Sequence, residues 1–343
     1  MRPSDVSQLL TRTAPEGLPI LLVGAPGVGK TSLVQQAADN LGYQLLISHP
    51  VVADPTDAKG LPWPDASTGT ARFLPFGELA QAIAATEPTI WLLDDLGQAP
   101  AAVQASYMQL ILGRKLNGHQ LPDCVSFVAA TNRRQDRAGV SGILSPVKSR
   151  FAAIVPVDAD LDDYIGWALS QTFYAPEQVA FHRMRPDLLL SEEPSADIAN
   201  VPSPRTWAHL ARLHSLNLPE NLRLSAYAGA VGEGPAVEFL AFLGMYRSIV
   251  SVDRILMDAA NAPIPAKPGE LYAVMSGLAF RANDSTFDRI GTYLRRVADN
   301  GHGEFAVLCA RDSIRRTPAV EFSTGWVSLM STPVGALIMG TAR

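Results

Sequence analysis

Residues 24–31 read Gly-Ala-Pro-Gly-Val-Gly-Lys-Thr, the GxxxxGK[ST] pattern, with the apolar run LPILLVG before it and KTSLVQQAADNL from the lysine onward. Glycines let backbone N–H groups converge on phosphate oxygens without interference from a Cβ, and a helix that starts at the lysine adds its positive dipole end at the same spot. Gly24, Ala25, Pro26, Gly27, Val28, Gly29, Lys30, Thr31 and Ser32 are the expected nucleotide cradle. In that cradle Lys30 reaches the β- and γ-phosphates of ATP, and the Thr31 hydroxyl binds Mg²⁺. Phosphoryl transfer also needs a metal-binding group at the C-terminal end of a neighbouring strand. TIWLLDD (89–95) supplies Asp94 for the metal and Asp95 as the base that polarises the attacking water. CVSFVAATN (124–132) ends in Thr131-Asn132, and the Asn132 amide is placed to orient that water.

Such groups meet only if a parallel sheet gathers their strand ends. Residues 18–158 alternate short apolar runs with helical stretches, the pattern of a parallel sheet covered by helices. LPILLVG (18–24), YQLLIS (43–48), TIWLLDD, CVSFVAATN and FAAIVPV (151–157) are the expected strands. The expected helices are KTSLVQQAADNL (30–41), stopped by Gly42, GELAQAIAAT (77–86) and AAVQASYMQLILGRKL (101–116). The fold class is α/β, with a nucleotide-binding core over 1–158. Segment 49–76 is too long for a plain connection. Its Pro62, Pro64, Gly69 and the run TARFLPF predict an inserted hairpin, on which Trp63 and Phe73 are either exposed contact aromatics or core. From 159 the texture changes: DLDDYIGWALSQ, APEQVAFHRM, PRTWAHLARLHSL and PAVEFLAFLGMYRSIV are amphipathic and helical, giving a second domain over 159–260. The proline-rich NAPIPAKPG then leads into a mostly helical region over 261–343.

Composition narrows the function classes. The chain has 343 residues, 47% apolar and 18% charged, which argues for extensive burial and against disorder. Its 28 Lys+Arg against 33 Asp+Glu give a net charge of -5, so no global positive field draws it to phosphate backbones and nucleic acid is an unfavoured partner. Cys124 and Cys309 form no CxxC and have no His at ligand spacing, as in a reduced cytosolic protein, and each reads as a small buried hydrophobe. The start MRPSDVSQLLTRT has no apolar h-region and no run of 18 apolar residues occurs, so the expectation is a cytoplasmic protein that does not span a membrane.

The order GAPGVGKT, WLLDD, AATN, SPVKSRF, PSPRTW resembles an AAA+ ATPase, and DPTDAKG with the insertion after it looks like the MoxR branch. The resemblance runs from residue 18 to about 250. It implies an ATPase that assembles with itself into a ring, usually a hexamer, with ATP at subunit interfaces and a helical lid after the α/β core. It further implies that Arg150, in SPVKSRF, is the arginine finger offered to a neighbour, and that Arg205, in PSPRTW, is the lid arginine called sensor 2. The local sequence agrees: Arg150 precedes FAAIVPV at the edge of the core, and Ser203 as N-cap with Pro204 at N1 puts Arg205 in the first turn of a helix. The family works with proteins carrying a von Willebrand factor A domain, so such a protein is the first partner to seek. Members commonly have Glu where this chain has Asp95, and a carboxylate withdrawn by one methylene keeps open a slow, nucleotide-gated scaffold as an alternative to rapid turnover.

Arg133, Arg134 and Arg137 in TNRRQDRAGV are the densest basic cluster, readable as pore-lining, neighbour-contacting or simply solvated. His209 and His214 are five apart and off one helical face, which speaks against a metal site. A nucleic-acid motor shares the AAA+ core but calls for a basic groove that the acidic balance does not offer.

Overall fold

The computed structural model describes residues 1–136, 142–191, 198–249 and 251–340. In the first part of the chain α1 (Pro3–Thr13) leads into β1 (Ile20–Gly24), α2 (Lys30–Leu41), β2 (Gln44–Ser48), α3 (Pro55–Lys59), β3 (Leu61–Asp65) and β4 (Thr70–Leu74). There follow α4 (Gly77–Ile83), β5 (Thr89–Leu93), α5 (Ala101–Gly113), β6 (Lys115–Leu116), β7 (His119–Gln120), β8 (Val125–Thr131), α6 (Ser145–Lys148) and β9 (Ala153–Val157). Five of these strands form one sheet in the order β2-β5-β8-β1-β9. Every pairing is parallel, with Leu22 of β1 opposite Ala130 of β8 on one side and Val155 of β9 on the other. All five strands therefore point their C-terminal ends at one edge, where ligands of open α/β sheets bind.

Period-two alternation decides which helix each strand residue meets. Ile20, Leu22, Ile90, Leu92, Val128 and Ala130 pack with Val6 and Leu10 of α1 and Val34 of α2. Leu21, Trp91, Leu93, Phe127 and Ala129 face the other way, onto Val103 and Tyr107 of α5. Because both faces are covered, the strands read as unbroken apolar runs. Trp91 stacks on Phe127 with ring centroids 5.3 Å apart, and its indole N–H donates to Ser48 Oγ at 2.8 Å. Gly42 ends α2 in the left-handed conformation, its amide bonding Asp39 O at 3.1 Å and that of Tyr43 bonding Ala38 O at 2.9 Å, as a Schellman stop requires.

The segment after β2 carries more structure than a hairpin. α3 is closed by a capping box between Asp54 and Asp57, and β3 and β4 form the expected antiparallel ribbon, Pro62 opposite Phe73. Trp63 is 57% exposed, whereas Phe73 is half-buried and its carbonyl bonds His119 Nε2 at 2.9 Å. Two expected helices are shorter than their patterns. α4 stops at Ile83, and α5 stops at Gly113 because Arg114 turns left-handed at φ 52°. Asn117 and Gly118, at φ 49° and 89°, then form a primed turn that pairs β6 with β7.

The chain divides into two compact units that change over after Asp160. In the second, α7 (Leu161–Ser170), α8 (Pro176–Met184), α9 (Pro204–Ser215), α10 (Glu220–Val231), α11 (Glu233–Ser248) and α12 (Val252–Met257) precede α13 (Pro268–Phe280) and α14 (Phe287–Asp299). The last helices are α15 (Gly303–Arg316), α16 (Thr324–Met330) and α17 (Pro333–Ile338). Leu271, Val274, Phe287, Ile290, Tyr293, Leu294 and Cys309 build the core of α13–α15. α8 joins this core through Arg183, which forms a buried two-bonded ion pair with Asp312 of α15 (Nη2 to Oδ1, 2.7 Å). Both cysteines are free thiols; burial raises the pKa of Cys309, and Cys124 is only half-buried. Residues 233–257 match a membrane span in length and mean hydropathy, 1.3, with 24% of the window buried; Phe239, Phe242, Ile255 and Leu256 are among the buried residues, and Ile249 ends α11 with extended backbone.

His182 of α8 is fully buried among Tyr164, Phe181 and Trp207, and neither ring nitrogen has a partner among the described residues. Burial alone pushes its pKa from 6.5 down to about 3, so the folded chain keeps the ring neutral where the unfolded chain protonates it. The unfolded state then holds more protons between those values, and stability falls as pH drops below 6.5, by up to about 1.4 kcal/mol per pH unit. Urea midpoints compared at pH 7 and pH 5 should show a smaller acid loss for His182→Phe than for the wild type; equal losses would assign the acid sensitivity to other groups.

Candidate nucleotide site

The glycine-rich turn between β1 and α2 is shaped by positions that a side chain would spoil. Gly27 and Gly29 sit at φ 76° and 105°, and a Cβ on Gly24 would lie 2.6 Å from Val157 O at the end of β9. Gly24, Ala25, Gly27 and Val28 are buried, while Pro26 and Ser32 are exposed on either side of the turn. No side chain caps α2 and no acid stands in its first turn, so the amides at its start carry uncompensated positive charge of the kind that holds phosphate.

Lys30 is 7% exposed and curls back over the turn. Its Nζ donates to Gly24 O at 2.9 Å, Ala25 O at 3.0 Å and Asn132 Oδ1 at 2.7 Å. The next side chain, Thr31, donates its hydroxyl to Asp94 Oδ2 at 2.8 Å. A hydroxyl and a buried carboxylate in contact beside a phosphate cradle are hard oxygen donors that suit Mg²⁺ with its retained waters, so the residues fit the metal. Asp94 is fixed from the neighbouring strand too, its amide bonding Ser48 O at 2.9 Å.

Asp95 leaves the strand at φ 56° and ψ 33°, a left-handed conformation that aspartate tolerates better than most residues. Its Oδ1 accepts from Gln98 Nε2 at 2.8 Å and from Asn132 Nδ2 at 3.4 Å. The tight turn Leu96–Gln98 presses on the end of β8: a Cβ on Gly97 would come 2.2 Å from Thr131 Oγ1. Lys30, Thr31, Asp94, Asp95 and Asn132, named from three separate stretches of sequence, thus form one hydrogen-bonded cluster at the C-terminal edge of β1, β5 and β8.

Two expected residues stand outside that cluster. Arg150 is half-exposed and bonds Pro146 O one turn back in its own segment. Arg205 belongs to the second unit, exposed in the first turn of α9, where Ser203 and Thr206 form the expected cap as a capping box. Of the basic cluster, Arg133 is paired with Asp136 at 2.9 Å, Arg134 is exposed, and Arg137 lies outside the described residues. His214 bonds Tyr227 Oη at 2.7 Å and Glu177 Oε1 at 3.0 Å, and His209 is exposed. Among the described residues no group of three or more His, Cys, Asp or Glu side chains could hold a metal.

Sequence reasoning passed over Gln98 and Gln104. Gln104 is 1% exposed inside α5, donating to Ala99 O and Gly142 O at 3.0 and 2.9 Å and accepting from Leu144 N at 3.0 Å. It thereby fixes the stretch leading into α6 and Arg150. A polar residue on the buried face of an apolar helix was the available signal.

A P-loop on the second-last strand of a parallel sheet, with paired acids and an asparagine on neighbouring strand ends, is the arrangement of an AAA+ nucleotide-binding domain. Residues 19–151 match the family described as AAA domain (dynein-related subfamily), and this part of the chain has the AAA+ P-loop fold. No curated protein matches the chain in sequence. Among solved structures it is similar to the RuvB Holliday junction branch migration motor of Thermotoga maritima, at 16% identity, 80% of each chain and a TM-score of 0.39. It is also similar to NtrX from Brucella abortus in complex with ADP, at 12% identity, 98% of this chain, 67% of the other and a TM-score of 0.41.

Proposed function

We propose that this protein is a Mg²⁺-dependent ATPase of the MoxR type that assembles with itself into a ring, a hexamer in the simplest case, and couples ATP hydrolysis to remodelling or maturing a protein partner in the cytoplasm. The observation that carries the reading is the cluster at the sheet edge, where phosphate, metal and water each have a group waiting. When bound, Mg²⁺ supplies charge that offsets the β- and γ-phosphate oxygens. The amides at the start of α2 hold the phosphates, and Lys30, already turned toward the strand ends, neutralises the charge that spreads over them. Thr31 and Asp94 hold the metal. Asp95 takes the proton from the attacking water while the Asn132 amide orients it. α3 with the β3–β4 ribbon between β2 and α4 supports the MoxR assignment, and a protein with a von Willebrand factor A domain is the proposed partner. Phosphate release from ATP by the purified chain, with and without a magnesium chelator, tests the reading; no release with Mg²⁺ under any assembly condition would leave the nucleotide-gated scaffold, which the short Asp95 favours.

Arg150 acts, in this proposal, on a neighbour's γ-phosphate, since within its own chain its side chain bonds only its own turn among the described contacts. Arg150→Ala should bind ATP normally and lose turnover by on the order of 10³. Mixed with Lys30→Ala chains it should regain measurable activity, because a mixed interface pairs an intact cradle with an intact finger. Co-assembly without any recovery would give Arg150 a role within its own chain.

A further inference from the structure

Beyond the residues that touch phosphate, metal or water, the turn after β5 holds one side chain whose bonding is directed at the base. Gln98 lies three residues after Asp95, and its Nε2 donates to Asp95 Oδ1 at 2.8 Å. The turn fixes that spacing: the Gln98 amide bonds Asp95 O at 3.0 Å, and Gly97 leaves no room against Thr131. This orientation of the amide leaves Gln98 Oε1 enclosed and without a partner among the described residues. An enclosed, unsatisfied carbonyl oxygen is unfavourable, so the bond to Asp95 is kept against a local penalty. Asn132 reaches the same oxygen only at 3.4 Å, with its own Oδ1 committed to Lys30. The shorter of the two contacts that set the carboxylate's direction is therefore that of Gln98.

We infer that Gln98 is a positioning residue for ATP hydrolysis, holding the short Asp95 carboxylate in the direction from which it takes the water's proton. The inference rests on the reading of Asp95 as the base. Among the described contacts Gln98 touches no phosphate-binding group, so its loss acts on turnover and not on nucleotide affinity.

The decisive variant is Gln98→Glu, which keeps the shape but replaces the donor with a carboxylate that repels Asp95; Gln98→Ala is the companion that removes the contact without adding charge. In both, kcat should fall by about tenfold or more with the KM and Kd for ATP unchanged, as a misdirected base requires. In an Asp95→Asn background Gln98→Glu should cost no further turnover, because the group it positions is already disabled. Wild-type kcat in both variants beside an inactive Asp95→Asn would overturn the role of Gln98 and leave the base assignment standing. A changed Kd for ATP, or an equal loss in the Asp95→Asn background, would make Gln98 a structural part of the turn. Wild-type turnover in Asp95→Asn itself would remove the base assignment and this inference with it.

Discussion

Lys30→Ala is expected to fold like the wild type, to lose most of its affinity for ATP and to hydrolyse it more slowly by on the order of 10² to 10³. The lysine ammonium is buried at 7% exposure and held by two carbonyls of the glycine turn and by Asn132, so its place is set before any phosphate arrives. No other cation bonds into this cluster among the described contacts, and arginine, longer and forked, would not fit three convergent acceptors. Calorimetric titration with ATP beside phosphate release checks both losses, and a melting curve shows that the variant is folded. Undiminished binding and turnover in a folded Lys30→Ala chain would dismiss the nucleotide site.

Asp95→Asn should retain Mg²⁺-ATP while kcat drops by about 10² to 10⁴, the usual contribution of a general base. Asp94→Asn should differ, weakening metal-dependent binding because it removes charge beside the Thr31 hydroxyl. The longer Asp95→Glu is the more telling change. Asp95 Oδ1 already meets Gln98 at 2.8 Å from a left-handed backbone, so an added methylene carries the carboxylate past its donors. Turnover should fall by about a hundredfold for a displacement near 1 Å. A faster Asp95→Glu enzyme would instead mean that the aspartate restrains hydrolysis, and would favour the nucleotide-gated scaffold.

The site was legible in sequence where chemistry is local. A glycine turn ahead of Lys30 and acids at the end of an apolar run are written in consecutive residues, and parallel pairing then brings them together. Gln98 was not legible, because its bond to Asp95 depends on the left-handed turn at residue 95, a conformation that aspartate tolerates but does not dictate. The helix over 101–116 was read too long because the apolar pattern continues through Leu116; the Asn117-Gly118 pair that bends the chain into β6 and β7 was the stronger local signal. α10 escaped notice because ENLRLSAYAGAV has only three buried residues and a weak apolar stripe.

The Arg183–Asp312 pair has a consequence for the order in which the molecule is made. Its partners are 129 residues apart, so while the chain leaves the ribosome α8 must wait for α15 before its guanidinium has a carboxylate. An arginine enclosed without one costs about 3–5 kcal/mol, a large share of the 5–15 kcal/mol that holds a typical domain folded. The nucleotide-binding sheet closes with β9 at Val157, some one and a half hundred residues earlier than Asp312. During synthesis, then, the last strand of the sheet emerges while the helices of the second unit still lack the carboxylate that Arg183 needs.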